Sequence, residues 1–202
     1  MQLKSILNHV EPLKSFVYKR ARIIEIDGAP TVIEVEIEPR ANGRPICSGC
    51  GKRGPRYDVQ SPRRWQFVPL WNIAVFFVYA IRRVECPACG VKVEQVPWAE
   101  GKSQLTTSFR WFLARWARRL SWKETAEAFG TSWDAVFRSV KHAVLWGLAR
   151  RELKDVEAIG VDEISWRKGQ SYLTLVYQID GNMKRLLWVA QDRTEQSLRG
   201  FF

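Results

Sequence analysis

Ile159-Gly160-Val161-Asp162-Glu163-Ile164-Ser165-Trp166 places a carboxylate inside an apolar, strand-like run. A strand buried on both faces reads as a nearly continuous apolar segment, so a carboxylate there carries a desolvation cost that a bound cation would offset. Successive strand residues face opposite sides, so Asp162 and Glu163 cannot both face one ion. Asp162 shares its face with Gly160, whose missing side chain is expected to leave room for an ion. The run is the first of three expected strands, Ala158 to Trp166, Ser171 to Ile179 and Arg185 to Ala190. Turn chemistry at Lys168-Gly169 and Asp180-Gly181-Asn182 separates them, and Thr194 is placed to cap a helix through Phe202.

Upstream of this run, from about Gly101 to Arg151, the periodicity is helical. Phe109, Phe112, Leu113, Trp116 and Leu120 form one stripe of a helix expected over Leu105 to Leu120. Ser121-x-x-Glu124 is a capping box that opens a second helix, Gly130 ends it, and Ser132 can cap a third. The stretch Ser121 to Phe137 fits a helix-turn-helix, with small Ala126 where the helices meet and Gly130 at the turn. On the third helix Trp133, Val136, Phe137, Val140 and Val144 are expected to be buried. Ser132, Ala135, Arg138, Ser139 and His142, flanked by Lys141, are then the expected DNA-contacting face, with Arg138 reading bases. An ordinary three-helix bundle with basic solvent faces remains the alternative.

Further upstream, the four cysteines form two close pairs, Cys47-x-x-Cys50 and Cys86-x-x-Cys89. Without an export signal, paired knuckles point to a metal site rather than to disulfides. A glycine follows each pair, Gly51 and Gly90, allowing a tight turn whose amides face sulfur. Four thiolates close a tetrahedral shell, so the expected metal is a structural Zn²⁺. Four buried or redox cysteines without metal are the other reading. Arg53, Arg56, Arg63 and Arg64 cluster near the first knuckle as either a DNA-touching or a merely solvated face. Before the knuckles, Leu3, Ile6, Leu7 and Val10 suggest a short helix. Arg20 to Ile26 and Thr31 to Glu38 suggest a hairpin about Asp27-Gly28.

The 202 residues are 46% hydrophobic, enough for folded cores, and carry a formal net charge of +11, which favours polyanionic partners. Met1 to Val10 lacks a signal-type apolar core, and the longest apolar run, Ile73 to Ile81, is too short to span a bilayer. A soluble, cytoplasmic protein with no membrane partner is expected, and Ile73 to Ile81 reads as a buried strand. Ten tryptophans are many for this length. Those at helix spacing, Trp111, Trp116, Trp133 and Trp146, are read as packing residues without a functional role.

The module order, with Val96-Pro97-Trp98-Ala99, Leu120-Ser121-Trp122-Lys123-Glu124, Gly160 to Trp166, Tyr172 to Asp180 and Arg185 to Val189, closely resembles bacterial insertion-sequence transposases of the ISL-three family. The likeness covers nearly all of this chain and about the first half of a family member. It implies an α+β multidomain protein: a zinc-ribbon-like β module (1–100), a helix-turn-helix domain (101–152), and the first strands of a ribonuclease-H-like α/β domain (153–202). It further implies a DDE transposase that binds double-stranded DNA at terminal inverted repeats and cuts and joins it with Mg²⁺ ions held by three carboxylates. Asp162 matches the first of these. Glu163, Asp180, Asp192 and Glu195 stand at the wrong places for the others, and Leu198 to Phe202 reads as a helix interrupted midway. The expectation is therefore a truncated transposase, inactive alone, with binding to a second copy or to a full-length transposase in prospect. On DNA it would associate with the nucleoid. A stand-alone DNA-binding regulator or inhibitor of transposition is the alternative.

Overall fold

A computed structural model describes residues 3–25, 27–154, 156–169, 171–180 and 185–202. The chain forms two compact units, Met1–Ala149 and Arg150–Phe202.

The first unit begins with α1 (Leu3–Val10), which buries Leu7. Strands β1 (Phe16–Ile24) and β2 (Val32–Pro39) pair antiparallel, as the turn at Asp27-Gly28 predicts. β1 starts at Phe16 rather than Arg20, because Phe16 and Tyr18 alternate into the core. Ile26, where the sequence would end that strand, lies outside the described residues. Ile33, Val35 and Ile37 of β2 are buried on one face, matching their alternation. β3 (Arg56–Leu70) and β4 (Ile73–Cys86) form a long antiparallel hairpin, and β5 (Gly90–Val93) pairs with the end of β4. The sheet order is β1-β2-β4-β3, and β2 runs parallel to β4. The hairpin turns through Trp71 and Asn72, both at positive φ (49° and 64°), as a two-residue connection matching strand twist requires.

The core lies on one face of this sheet and is closed by α1 and Trp98. Phe16, Trp65 and Tyr79 meet Trp98 edge-on at centroid distances of 5.0, 5.7 and 5.5 Å. Such edge contacts place positive ring edges on negative ring faces and hold large apolar groups in one arrangement.

Three helices follow: α2 (Thr107–Trp116), α3 (Trp122–Ala128) and α4 (Trp133–Leu148). α2 is shorter than expected because Thr106 caps it and Leu105 bridges to Gln66 of β3. Both halves of the Ser121–Glu124 capping box form. Gly130 adopts a φ of +57°, which a side chain would resist, and Ser132 caps α4. Phe109, Leu113, Ala126 and Val136 make the helical core, to which Val68 of β3 adds. Gln66 ties sheet to helices. Its backbone exchanges hydrogen bonds with Gln104 (2.8 Å) and Thr106 (2.9 Å), and its side-chain amide donates to Phe129 O (3.3 Å) and Gly130 O (3.2 Å).

Beneath the cysteine knuckles, Arg82 and Glu94 form a buried ion pair. Arg82 Nη2 lies 2.7 Å from Glu94 Oε2, and the backbone N–H of Arg82 donates to Oε1 (2.8 Å). Tyr79 donates to the same carboxylate, and Arg82 Nη1 donates to Gly43 O at 2.7 Å. Burial, reinforced by the Glu94 carboxylate, pushes the Tyr79 phenol well above its usual range.

In the second unit, β6 (Ile159–Arg167), β7 (Ser171–Gln178) and β8 (Arg185–Gln191) make an antiparallel sheet in that order. Thr194 caps α5 (Glu195–Arg199), which stops short of the Phe202 expected from sequence. The Lys168-Gly169 turn is observed, with Gly169 at positive φ (95°), whereas Gly181 and Asn182 of the second expected turn lie outside the described residues. Thr174, Leu175, Val176 and Gln178 of β7 and Leu187 of β8 are buried. β6 is an edge strand, exposed from Val161 to Arg167. The expectation of a doubly buried β6 is therefore corrected: its apolar residues belong to an uncovered strand.

Asp180 fixes the start of β6. Its carboxylate accepts from the backbone N–H groups of Ala158 (3.0 Å) and Glu157 and from the Gln178 side chain. These donors, the Ala158 amide first, hold its pKa below the ordinary carboxylate range. A lowered native pKa means that this clasp is intact above the unfolded value of about 3.9 and is lost as pH falls through the native value. The Ala158 amide resonance should titrate with a midpoint below that value and stop titrating in Asp180→Asn. A midpoint at or above it would reject the clasp.

Candidate metal centre and nucleic-acid interface

The two knuckles are delivered by different parts of the sheet. Cys47 and Cys50 lie in the excursion between β2 and β3, Cys86 ends β4, and Cys89 sits in the turn to β5. All four Sγ atoms lie within 4.8 Å of one another, and Cys50 Sγ is 3.5 Å from Cys86 Sγ. A tetrahedral zinc at its usual Zn–S length of about 2.3 Å separates its sulfurs by roughly 3.8 Å, so the donor set fits that ion. Gly51 and Gly90 take φ of +71° and +69°, the turn anticipated from the sequence. Cys47 N–H donates to Lys52 O (2.8 Å), and Gly49 N–H donates to Cys47 Sγ (3.4 Å).

The backbone N–H of Ala88 draws the Cys86 thiol down to about 7. Hydrogen bonding with Cys50 pushes Cys89 up to about 12. The sulfurs thus compete for protons that a dication would displace. The chain carries a zinc-ribbon site, in which Zn²⁺ supplies cross-linking rather than catalysis. Among the described residues no other cluster of metal-type ligands occurs.

Asp162 is not in such a cluster. It is exposed on β6, and its Oδ1 accepts from Glu163 N–H at 2.8 Å. A Cβ added at Gly160 would lie 3.2 Å from Ile179 Cγ2, so Ile179 occupies the space expected for an ion. Among the described residues Asp162 belongs to no group of three or more metal-type ligands.

On α4 the buried stripe is turned from the expected one by about a quarter of a turn. Val136 and Ser139 are buried at 0% and 1% exposure, whereas Trp133 (52%), Phe137 (36%) and Val144 (53%) face outward. The correction has a simple cause. Ser139 is small enough for close helix approach, and its hydroxyl donates to Ala135 O (2.7 Å). Thr125 on α3 does the same with Ser121 O (2.9 Å) and is fully buried. Ser139 therefore does not project outward, and His142 is largely covered beside Trp111, 5.6 Å between rings. Burial, helped by nearby Arg110, lowers the His142 pKa.

Ser132, Arg138 and Lys141 are exposed and Ala135 is half-buried. Arg138 is held by Asp134 one turn earlier. The outward aromatics are not isolated: Trp133 stacks on Phe137, with Trp122 beside both. Trp116 (38%) and Trp146 (46%) are also partly exposed, so the helix tryptophans form surface clusters, and the core tryptophans are Trp65 and Trp98.

A four-cysteine knuckle pair built on the same unit as a capped tri-helical helix-turn-helix defines a zinc-ribbon, helix-turn-helix protein. Residues 94–144 match the helix-turn-helix domain of transposase family ISL3. Residues 43–89 match the zinc-finger of transposase IS204/IS1001/IS1096/IS1165, and residues 159–202 match a transposase family. The chain carries the zinc-ribbon, helix-turn-helix and part of the transposase domain of the ISL3 family. It is similar to the transposase for insertion sequence element IS1557 of Mycobacterium tuberculosis, strains CDC 1551 / Oshkosh and ATCC 25618 / H37Rv. Each is 30% identical over 180 residues, covering 87% of this chain and 39% of the relative. The chain spans about two fifths of the length of these curated relatives. No solved structure matches it. Among the described residues no helix is long and apolar enough to cross a membrane.

Proposed function

We propose that this chain is the DNA-recognising portion of an insertion-sequence transposase. Its helix-turn-helix binds double-stranded DNA at the element's terminal inverted repeats, with α4 in the major groove. The observation that carries the reading is the capped helix-turn-helix with an outward Arg138 and Lys141, in a chain of net charge +11. Ser132, Ala135, Arg138 and Lys141 are the contact residues on this reading; buried Ser139 and covered His142 are not. The three-strand unit then corresponds to the start of a ribonuclease-H-like domain, and Asp162 to the first DDE carboxylate.

Arg138→Ala should weaken gel-shift binding to terminal-repeat duplexes by about 1–3 kcal/mol and relax preference over a scrambled duplex. Unchanged end-specific affinity would remove Arg138 from the recognition face.

A second reading is non-catalytic: among the described residues Asp162 belongs to no group of three or more metal-type ligands. On that reading the 202-residue chain occupies element ends without cutting them, and a second copy or a full-length transposase is its partner. Repeat-containing DNA incubated with this chain and Mg²⁺ should remain intact; cleavage abolished by Asp162→Ala would contradict this.

A further inference from the structure

The sequence leaves open whether arginines of the β module touch DNA or merely face solvent. In the first unit, a cleft of about 990 Å³ opens between the β3–β4 hairpin and the N-terminal half of α4. Arg63, Arg64, Lys102, Arg110 and Arg138 contribute cations to its lining, and Glu100 is the one carboxylate. Five positive groups line the cleft against one negative group, and although Asp134 pairs with Arg138 and Glu34 with Arg64 just outside that lining, a positive surplus that attracts a polyanion is left.

The cations differ in how far they are already neutralised. Arg110 is mostly covered and lies 3.6 Å from Glu100. Arg64 lies 3.3 Å from Glu34 yet keeps half its side chain exposed, with its guanidinium 4.2 Å from the Phe76 ring centroid. Arg63 lies 5.1 Å from the Trp65 centroid, and neither it nor Lys102 has an ion-pair partner among the described residues. Aromatic faces hold both guanidiniums in place without cancelling their charge, so less side-chain freedom is lost when an anion arrives.

The cleft is also tied to α4. Gln66, two residues beyond Arg64 on β3, bonds to the turn carbonyls of Phe129 and Gly130 just before α4 starts. The Arg63–Arg64 strand and the first turn of α4 are therefore linked directly.

We infer that Arg63, Arg64 and Lys102 form a second DNA contact that grips the phosphodiester backbone beside the groove read by α4. This rests on the DNA-binding reading above and extends it: the β module supplies sequence-independent backbone contacts, and α4 supplies sequence preference. Duplex DNA is the occupant because Arg63 and Arg64 on β3 and Lys102 in the turn before α2 line the same cleft as Ser132, Ala135 and Arg138 at the start of α4.

The test uses the intact 202-residue chain, a 30-base-pair random-sequence duplex and a terminal-repeat duplex, with affinity measured across a salt series. In Arg63→Gln/Lys102→Gln the slope of log affinity against log salt should become shallower by about 0.9 per lost contact. Affinity for both duplexes should fall by the same factor, about tenfold or more at low salt. Zinc content and the circular dichroism spectrum of the variant establish that it is folded. Arg64→Gln alone should give half that change in slope. A folded double variant with an unchanged slope overturns this inference and leaves the α4 reading standing. A wild-type chain that retains neither duplex overturns both.

Discussion

Cys47→Ser should abolish stoichiometric zinc binding and melt the ribbon, residues 40–55 with 86–95, while the aromatic core around Trp98 survives. Cys47 is fully buried among the sulfurs, and its backbone closes the knuckle onto Lys52. Structural zinc sites contribute about 10–16 kcal/mol of apparent binding energy in isolated fingers, comparable with the whole stability of a domain. The ribbon's own apolar cluster is only Cys47, Val84, Cys86 and Cys89, and apart from the metal it is tied to β4 by the β5 ladder and by Arg82 at Gly43 and Glu94. The Trp65, Phe77 and Trp98 core needs no metal and should persist. Metal analysis should give one zinc per wild-type chain and none in the variant, and hydrogen exchange should show protection lost only in the ribbon. Zinc retention should also weaken as pH falls, because protons compete for thiolate. Wild-type protein purified without zinc, or a variant with unchanged protection, would refute the assignment.

Glu94→Ala should destabilise the first unit by about 3–5 kcal/mol in denaturant titration at fixed zinc. Glu94 is 3% exposed and Arg82 8%, so removing the carboxylate strands a buried guanidinium. Four hydrogen bonds from Arg82 and one from Tyr79 end on that carboxylate. The double change Arg82→Met/Glu94→Leu removes both charges at similar volume and should recover most of the loss. A loss below about 1 kcal/mol for Glu94→Ala would show that water reaches Arg82 and that the pair is not buried in solution.

Signals depending on nearby residues were legible. The Ser121–Glu124 box, Gly130, Ser132 and Thr194 each perform the capping or turning role their sequence positions suggest, because those roles are settled within a few residues. The cysteine pairs were legible for a related reason: a CxxC knuckle closes on itself. Which face of α4 points inward was not. Ser139 and Thr125 are buried by satisfying their hydroxyls on their own helices, while Trp133 and Phe137 find each other at the surface. Apolar periodicity ranks residues by hydrophobicity and misses both effects. The environment of Asp162 was misread likewise. An apolar run on an edge strand and one in a doubly covered strand look alike in sequence, and only pairing distinguishes them. The Arg82–Glu94 pair and the part played by Gln66 gave no local signal, since their partners lie on separate elements.

Parallel pairing of β2 with β4 gives the metal site a history as well as a geometry. Cys50 and Cys86 are 36 residues apart, and between them the chain runs out along β3 and back along β4. During synthesis the first knuckle emerges with half a ligand set. The other half arrives only when the hairpin has turned at Trp71-Asn72 and β4 has docked beside β2. Closing so long an excursion costs chain entropy that strand pairing must offset before four sulfurs can converge. The complete four-sulfur set therefore exists only once that hairpin has formed, so full zinc coordination reports on its completion.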